Sequence, residues 1–419
     1  MSRGSRRSAA LFGGVGVLLL AGLLPNLSGE RKTISFDRPP DEPNFGFDPA
    51  VVVGIVGALF VVVAVLTALL PRSASLVRWL RLAAGVSVIP LLLAVSLDLS
   101  PSSSTNVVNL LNESLVLSTP LVLGAMTGLW SERSGIINIG IEGMMLSAAG
   151  VGFTAYAVLG GAQGTGWLVL SILIAVIMGA LAALLLAVLA IRFSVNQIVA
   201  GVAINLFALG LTGFLRSQVI VGRGVSIGTP TADFGLPILS SIPVVGDQLF
   251  RGKPIYFLTY AVVVATWFVM YRTPWGLRVR AAGENPHAAE TLGVDVIRIR
   301  YQSVILGGLI AGLAGAWFSM ETQARFEDNM TNAAGFIALA ALIFGKWTPW
   351  GAAAGAVLFG FARALGSRLQ ILNVSIGDFE IPSEFFQSLP FIVTIVVVAG
   401  ALGRAVPPAA EGRPFHPSK

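Results

Sequence analysis

Long apolar runs separated by short polar segments recur along most of this chain. About twelve runs of membrane-spanning character can be marked, at residues 9–24, 50–70, 82–97, 107–129, 136–159, 166–190, 196–215, 255–271, 301–320, 333–345, 350–366 and 386–403. The pair on either side of Lys346-Trp347-Thr348-Pro349 is short, which is typical of re-entrant or broken helices. The pattern predicts an all-α, polytopic integral membrane bundle of about 10–12 transmembrane helices.

Composition and charge support a membrane setting. Hydrophobic residues make up 55% of 419 positions, charged residues 11%, and the mean hydropathy is +0.82, which exceeds what a water-soluble core uses. The net charge is +6, but the basic residues lie beside apolar runs, so we expect no nucleic-acid partner. If both termini are cytoplasmic, most of the 27 Lys and Arg residues lie in segments on the cytoplasmic side of the membrane. The positive-inside rule therefore predicts a multi-pass protein of the cytoplasmic membrane in that orientation.

The residue types present argue against a catalytic or metal site on this chain. It contains no cysteine, and its two histidines, His287 and His416, lie in polar segments. Neither a zinc cluster nor a Ser/His/Asp set is therefore expected. No GxxxxGK[ST] phosphate loop occurs. We expect no enzyme activity, no catalytic residue, no metal site and no cofactor here, so any ATP must bind a partner subunit.

A polar segment at residues 271–294, between two apolar runs, is a candidate contact site for another protein. Pro286 follows an asparagine and suits the start of a short helix, and Gly293 suits its end. Ala288 and Ala289 would give that helix a small face able to press into a groove. An ordinary basic cytoplasmic loop is the alternative interpretation.

Polar residues within the apolar runs are candidates for a solute pathway. Asn138 and Glu142 are four residues apart and would share one face of the helix predicted over 136–159. A carboxylate at membrane depth costs about 2.5–3.5 kcal/mol on insertion scales, so something must pair with Glu142. A polar pathway wall and a structural role, by a hydrogen bond or by pairing with Arg133, are equal alternatives.

A second polar or small stripe is formed by Gln197, Gly201 and Asn205 at positions i, i+4 and i+8. The stripe favours helix packing, with pore lining as the alternative. The candidate pathway residues are Asn138, Glu142, Gln197 and Asn205. Three further acidic residues are expected to face solvent: Glu321, Glu327 and Asp328.

Two sequence strings carry a resemblance to a known family. RAAGENPHAAETLGV at 280–294 resembles the cytoplasmic coupling loop of permeases in the branched-chain amino acid, ribose and nucleoside class of ABC importers. WSERSGIINIGIEGM at 130–144 looks like the SERSGxxNIGxEG signature of the nucleoside branch, which is associated with basic membrane lipoproteins. The similarity extends over about residues 107–403.

The resemblance implies a function and a set of partners. It implies the membrane-spanning permease of an ATP-binding-cassette importer for a nucleoside or a related small polar solute. It implies an ABC ATPase subunit, a second and non-identical permease, and an external solute-binding lipoprotein. ATPase coupling is expected at Arg280, Gly283, Asn285, Pro286, Ala288, Ala289 and Gly293. The expected domains are appended transmembrane segments at 1–106, a permease core at 107–403 and a cytoplasmic tail at 404–419.

Other transport classes remain as alternatives. A ribose-type sugar permease of the same class would share these motifs. An ion-coupled secondary transporter would carry conspicuous buried ionisable residues, and the intramembrane candidates reduce to Glu142 and Arg363. A membrane scaffold without transport would not need the polar stripes.

Overall fold

The computed structural model describes residues 3–35, 45–69, 75–87, 90–91, 94–95, 98, 104–224, 227–242, 246–371, 375–376, 379–380, 382–391 and 405–417. The helices are α1 (Arg3–Val17), α2 (Pro49–Leu69), α3 (Ser75–Val86), α4 (Val107–Glu132), α5 (Ile141–Gly160), α6 (Thr165–Ala187), α7 (Gln197–Leu215), α8 (Gly246–Phe250), α9 (Pro254–Arg272), α10 (Pro274–Glu284), α11 (Pro286–Thr291), α12 (Val296–Ala316), α13 (Ala334–Phe344), α14 (Pro349–Ile371) and α15 (Ser383–Gln387). The strands are β1 (Lys32–Ser35), β2 (Phe45–Phe47), β3 (Ser104–Asn106), β4 (Phe234–Gly235), β5 (Arg251–Gly252), β6 (Ser375–Ile376) and β7 (Phe379–Glu380).

Several helices are prolonged by a π-helical turn, so their apolar length exceeds the α-helical bounds. These turns are Leu18–Leu23 after α1, Val188–Arg192 after α6, Arg216–Ile220 after α7 and Trp317–Thr322 after α12. Within the described residues, eight helices are long and apolar enough to cross a membrane. The predicted polytopic helical class is confirmed. The predicted runs at 82–97 and 386–403 lie partly outside the described residues.

The described chain divides into two compact units. Unit 1 comprises Met1–Ser114, Ile242–Gln248 and Phe361–Arg404, and unit 2 comprises Leu115–Ser241, Leu249–Gly360 and Ala405–Lys419. In unit 1, α1 packs on α2 around a core that includes Phe12 and Phe60, whose ring centroids are 5.7 Å apart. Strand β1 pairs antiparallel with β2 and parallel with β3.

In unit 2, α5 lies among α6, α7 and α12 and is buried along most of its length. Helices α6 and α12 approach closely through small residues. A Cβ added to Gly179 would collide with the backbone of Gly308 and Gly312. The GxxxG pair on α12 therefore marks a tight helix crossing, as small residues do in membrane bundles.

Helix α13 has 11 residues and ends at a sharp turn. Lys346 and Trp347 both adopt left-handed backbone conformations there, with φ of 52° and 51°. Pro349 then begins α14, a position where its missing N–H needs no partner. The predicted break and the short segment before it are confirmed, but the predicted short segment after it was wrong, because α14 has 23 residues.

Candidate functional site

The signature segment at residues 130–140, called the junction below, connects α4 to α5 without a continuous helix. The sequence predicted a helix from residue 136, with Asn138 and Glu142 on one face. That prediction was wrong, because α5 begins at Ile141 and Asn138 lies in the irregular stretch before it. Gly135 turns the chain at φ 95°, a conformation that glycine adopts without steric cost.

The junction is held to neighbouring elements by its polar side chains. Trp130 Nε1 donates to Thr266 Oγ1 of α9 at 3.0 Å. Glu132 Oε2 accepts from Trp347 Nε1 at 2.6 Å, and Arg133 Nε donates to the Trp347 carbonyl at 2.8 Å. The turn between α13 and α14 is therefore tied to the junction by two hydrogen bonds, of which the one from the Arg133 guanidinium is charge-assisted.

The junction also contacts α10 and α12. Ser134 O accepts from Arg300 Nε at 3.1 Å, and Arg300 is 2% exposed. Gly283 packs so closely on the junction that an added Cβ would collide with the carbonyl oxygen of Arg133. Arg133 Nη1 also lies 3.9 Å from Glu284 Oε1. The signature segment is thus the point where α10 meets α12 and the end of α4.

Glu142 caps the N-terminus of α13. Its Oε1 accepts from Thr331 Oγ1 at 2.5 Å and from Ala333 N at 3.0 Å, and its Oε2 accepts from Gly335 N at 2.6 Å. A carboxylate here satisfies orphan backbone donors and complements the positive end of the helix dipole. Of the two structural roles considered, the hydrogen bond is the one observed, while Arg133 contacts other groups.

The polar stripe on α7 packs against the start of α5. Gln197 Oε1 accepts from Ile137 N at 2.7 Å. Asn205 bridges two backbone groups, since its Oδ1 accepts from Gly143 N at 2.8 Å and its Nδ2 donates to Ile139 O at 3.1 Å. These bonds replace the missing helical hydrogen bonds at the break, so the favoured packing role has a structural basis.

Two buried polar atoms at this break have no hydrogen-bond partner among the described residues, namely Asn138 Oδ1 and Gln197 Nε2. Asn138 is fully buried, and its Nδ2 donates to Ser131 Oγ at 3.1 Å. An unpaired buried polar atom costs about 1–3 kcal/mol and calls for an explanation such as a ligand or water. These atoms give the break free hydrogen-bonding capacity.

The predicted coupling segment forms two short helices, each begun by a proline. Thr273 Oγ1 accepts from Gly276 N at 3.1 Å at the start of α10, and Asn285 Oδ1 accepts from Ala288 N at 3.1 Å at the start of α11. Gly293 follows α11 with φ 77°. The predicted helix start and stop are confirmed, because side-chain caps and a left-handed glycine are local features of the sequence.

The predicted small face of α11 is only half correct. Ala288 is exposed, but Ala289 is 3% exposed and Gly283 is buried against the junction. Of the predicted small face, only Ala288 is therefore open on the surface, which the sequence could not distinguish. Exposed leucines occupy the outer surface: Leu277 is 59% exposed and Leu292 is 85% exposed.

Arg280 is half-buried, and its guanidinium lies 4.8 Å from the centroid of the Tyr271 ring. This cation–π contact ties α10 to the end of α9. Sequence reasoning assigned Arg280 to the coupling segment but did not detect the exposed leucines. Their signal is an apolar residue in an otherwise polar loop, with Leu292 immediately before the glycine that ends α11.

A second buried carboxylate corrects another prediction. Glu321, expected to face solvent, is fully buried and caps α9 by accepting from Ile255 N at 2.7 Å and Tyr256 N at 3.2 Å. Its location in the π-helical turn after α12 places the carboxylate beside the start of α9. Asp328 is exposed as expected and pairs with Arg216 at 2.8 Å.

A cavity of about 420 Å³ lies between α4, α9 and α14. Its wall includes the aromatic residues Tyr256, Tyr260 and Trp350. The hydroxyls of Ser118 and Thr259 return to carbonyls of their own helices, so the wall is largely apolar. In the part of the chain that the structure describes, no group of three or more His, Asp or Glu side chains is placed to hold a metal.

Residues 109–398 match a family described as "Branched-chain amino acid transport system / permease component". The chain belongs to this permease family. The guanosine ABC transporter permease NupQ of Bacillus subtilis is 39% identical over 73% of this chain and 95% of its own length. The nucleoside ABC transporter permease NupC of Lactococcus lactis is 39% identical over 75% and 100%. A putative glucose ABC transporter permease of Haloferax volcanii, TsgC13, is 36% identical over 70% and 92%. No solved structure matches the chain.

Membership of this family fixes the general role. The protein is a multi-pass membrane permease, a component that works in a transporter with other subunits and is not itself an enzyme. The junction, α10 and α11 are therefore parts of a permease, and they lie within the matched residues.

Proposed function

We propose that this permease moves a nucleoside or a related small polar solute inward across the cytoplasmic membrane, driven by ATP bound to a separate ATPase subunit. The observation that carries the proposal is the 39% identity to two permeases named for guanosine and nucleosides, over nearly their whole length. Transport would proceed by switching between outward-open and inward-open states, with no covalent chemistry on this chain.

The ATPase docks on the outer surface of α10 and α11. Leu277, Ala288 and Leu292 are exposed there, and exposed apolar side chains in a polar loop are suited to a protein contact. A second, non-identical permease and an external solute-binding lipoprotein complete the transporter. The C-terminal residues contact α10 and α11, called the coupling helices below, which supports placement of these residues on the cytoplasmic side. The N-terminus is assigned to that side too.

The permease core extends from residue 107 to 403, and residues 1–106 are appended transmembrane segments. The start of the family match at residue 109 supports this division. The appended part contains α1 and α2, which pack on each other in unit 1.

The break between α4 and α5 lies on the solute pathway. Asn138 Oδ1 and Gln197 Nε2 supply a free acceptor and a free donor for a polar solute. Glu142 and Asn205 keep the pathway's shape by holding α13 and α5 in place. Irregular backbone at membrane depth is typical of transporter binding sites, because it exposes hydrogen-bonding groups.

The direct test is uptake of labelled guanosine by cells or vesicles containing the permease with its ATPase, second permease and binding protein. We expect uptake that depends on ATP and is competed by unlabelled nucleosides. Asn138→Leu should lower uptake at least ten-fold at normal membrane abundance. Ser171→Ala is the matched control, because the Ser171 hydroxyl is also buried and unpartnered among the described residues but lies on α6. ATP-independent uptake would refute the proposal.

A sugar is the second candidate solute, because the Haloferax volcanii relative is named for glucose and is 36% identical. The same uptake assay separates the candidates. Competition by glucose or ribose with no competition by nucleosides would replace the nucleoside assignment and leave ATP-driven import intact.

A further inference from the structure

Residues 405–417, called the strap, lie across the junction and the coupling helices within unit 2. Towards α10, Ala409 N donates to Glu284 Oε2 at 3.2 Å, and Ala410 N donates to Gly283 O at 2.9 Å. Both acceptors are at the C-terminal end of α10, where helix carbonyls lack partners within the helix. The strap thus supplies hydrogen-bond donors to acceptors at the C-terminal end of α10.

The strap also bonds to the junction and to α12. Gly412 N donates to Gly135 O at 3.0 Å, and Arg413 O accepts from Arg300 Nη1 at 3.3 Å. Gly412 has φ 75°, and an added Cβ there would also press on the side chain of Ile137. The strap is therefore fitted to three elements that are distant from one another in sequence.

Phe415 anchors the far end of the strap. It is 7% exposed, its ring centroid lies 5.1 Å from that of His287 on α11, and the Arg300 guanidinium lies 5.7 Å from its ring. Burial of an aromatic side chain contributes about 1.5–3 kcal/mol, which exceeds the contribution of a single exposed contact. The strap therefore holds α11 as well as α10.

A carboxyl pair lies beneath the strap. Glu411 and Glu132 are joined by a side-chain hydrogen bond, and Glu132 also accepts from Trp347. Two carboxyl groups can hydrogen-bond to each other only if one retains its proton. Burial raises the pKa of the Glu411 carboxyl, so the pair shares one proton. Through this pair, the strap reaches the turn that ends α13.

We propose that the strap is a positioning element of the coupling machinery, which fixes α10 and α11 to the junction so that movement of the docked ATPase reaches the membrane helices. This proposal rests on the proposed function, since it requires an ATPase at the coupling helices. Glu411 is the positioning residue at its centre. The opposing view is that the strap only covers polar atoms, in which case its removal would lower stability without changing coupling.

Solute imported per ATP hydrolysed, measured on the complete transporter, distinguishes these views. We expect deletion of residues 405–419 to lower this ratio at least ten-fold and Glu411→Ala at least three-fold, with the ATPase still co-purifying. Glu411→Gln should keep the ratio, because its amide can still form a hydrogen bond with the Glu132 carboxyl. Val406→Ala is the control, since Val406 is 68% exposed. An unchanged or increased ratio after deletion, or equal losses in the two Glu411 variants, would overturn the proposal.

A cross-link tests the strap's location without transport. Because the chain contains no cysteine, His287→Cys combined with Phe415→Cys introduces the chain's two thiols. In membranes, oxidation should protect both thiols from a polyethylene glycol maleimide, and reduction should restore labelling. The oxidised transporter should retain at least half of its import, because strap and α11 move together. Unprotected thiols, or import lost on oxidation and restored on reduction, would contradict the proposal, whatever solute is carried.

Discussion

Replacing Glu142 with glutamine tests the link between α5 and α13. The carboxylate accepts three hydrogen bonds from residues 331–335, two on one oxygen and one on the other. A glutamine amide has one acceptor oxygen, so its NH₂ group must face at least one donor. An unpaired buried donor costs about 1–3 kcal/mol, and loss of the charge at the helix N-terminus costs up to about 2 kcal/mol. We expect a total destabilisation of roughly 2–4 kcal/mol.

The assay is thermal unfolding of the purified transporter in detergent, together with uptake at matched abundance. At about 2–4 °C per kcal/mol for a domain of similar size, the midpoint should fall by roughly 5 °C or more. Glu327→Gln makes the same chemical change at an exposed carboxyl and should leave the midpoint unchanged. An unchanged midpoint for Glu142→Gln would refute the capping argument, and lower uptake with that unchanged midpoint would assign Glu142 to the pathway instead.

Three further outcomes follow from the coupling region. Ala288→Trp should weaken ATPase co-purification at least ten-fold without changing thermal stability, whereas Gly283→Ala should lower stability first, because its new Cβ collides with the junction. Leu292→Asp should also weaken co-purification at least five-fold at unchanged stability, since Leu292 is 85% exposed. Because the pKa of Glu411 is raised, its stabilising contribution is full below the ordinary carboxyl range and is lost as pH rises through the higher folded pKa. Import per ATP should therefore fall towards alkaline pH in the native protein and stay level in Glu411→Gln.

The helices were predictable because apolar length and local caps are properties of short segments. Asn285 and Pro286 mark the start of α11, and Gly293 marks its end. The late start of α5 was not predictable from hydropathy, since the residues after Ser134 are as apolar as a helix interior. What breaks the helix there is tertiary: side chains of α7 take the backbone groups that a longer helix would have paired.

The direction in which a small or charged residue points was the main source of error. Ala289 and Ala288 are neighbours of the same type, yet only contacts between distant elements determine which one is buried. Glu321 looked like a loop carboxylate because the sequence does not show that the start of α9 lies beside it. The contacts of the C-terminal tail were likewise not predictable, since its partners are far away along the chain.

The shortness of α13 has a consequence for how the protein is made. Its 11 residues extend about 16 Å, roughly half of a bilayer core, so it cannot enter the membrane as an independent segment. Its first N–H groups would meet lipid unless the carboxylate of α5 were already in place to accept from them. The order of synthesis provides this carboxylate in time, because α5 leaves the ribosome almost two hundred residues before α13. Completion of the last membrane segments is thus templated by the earlier ones, and a defect in α5 should appear as failed insertion of the α13–α14 hairpin.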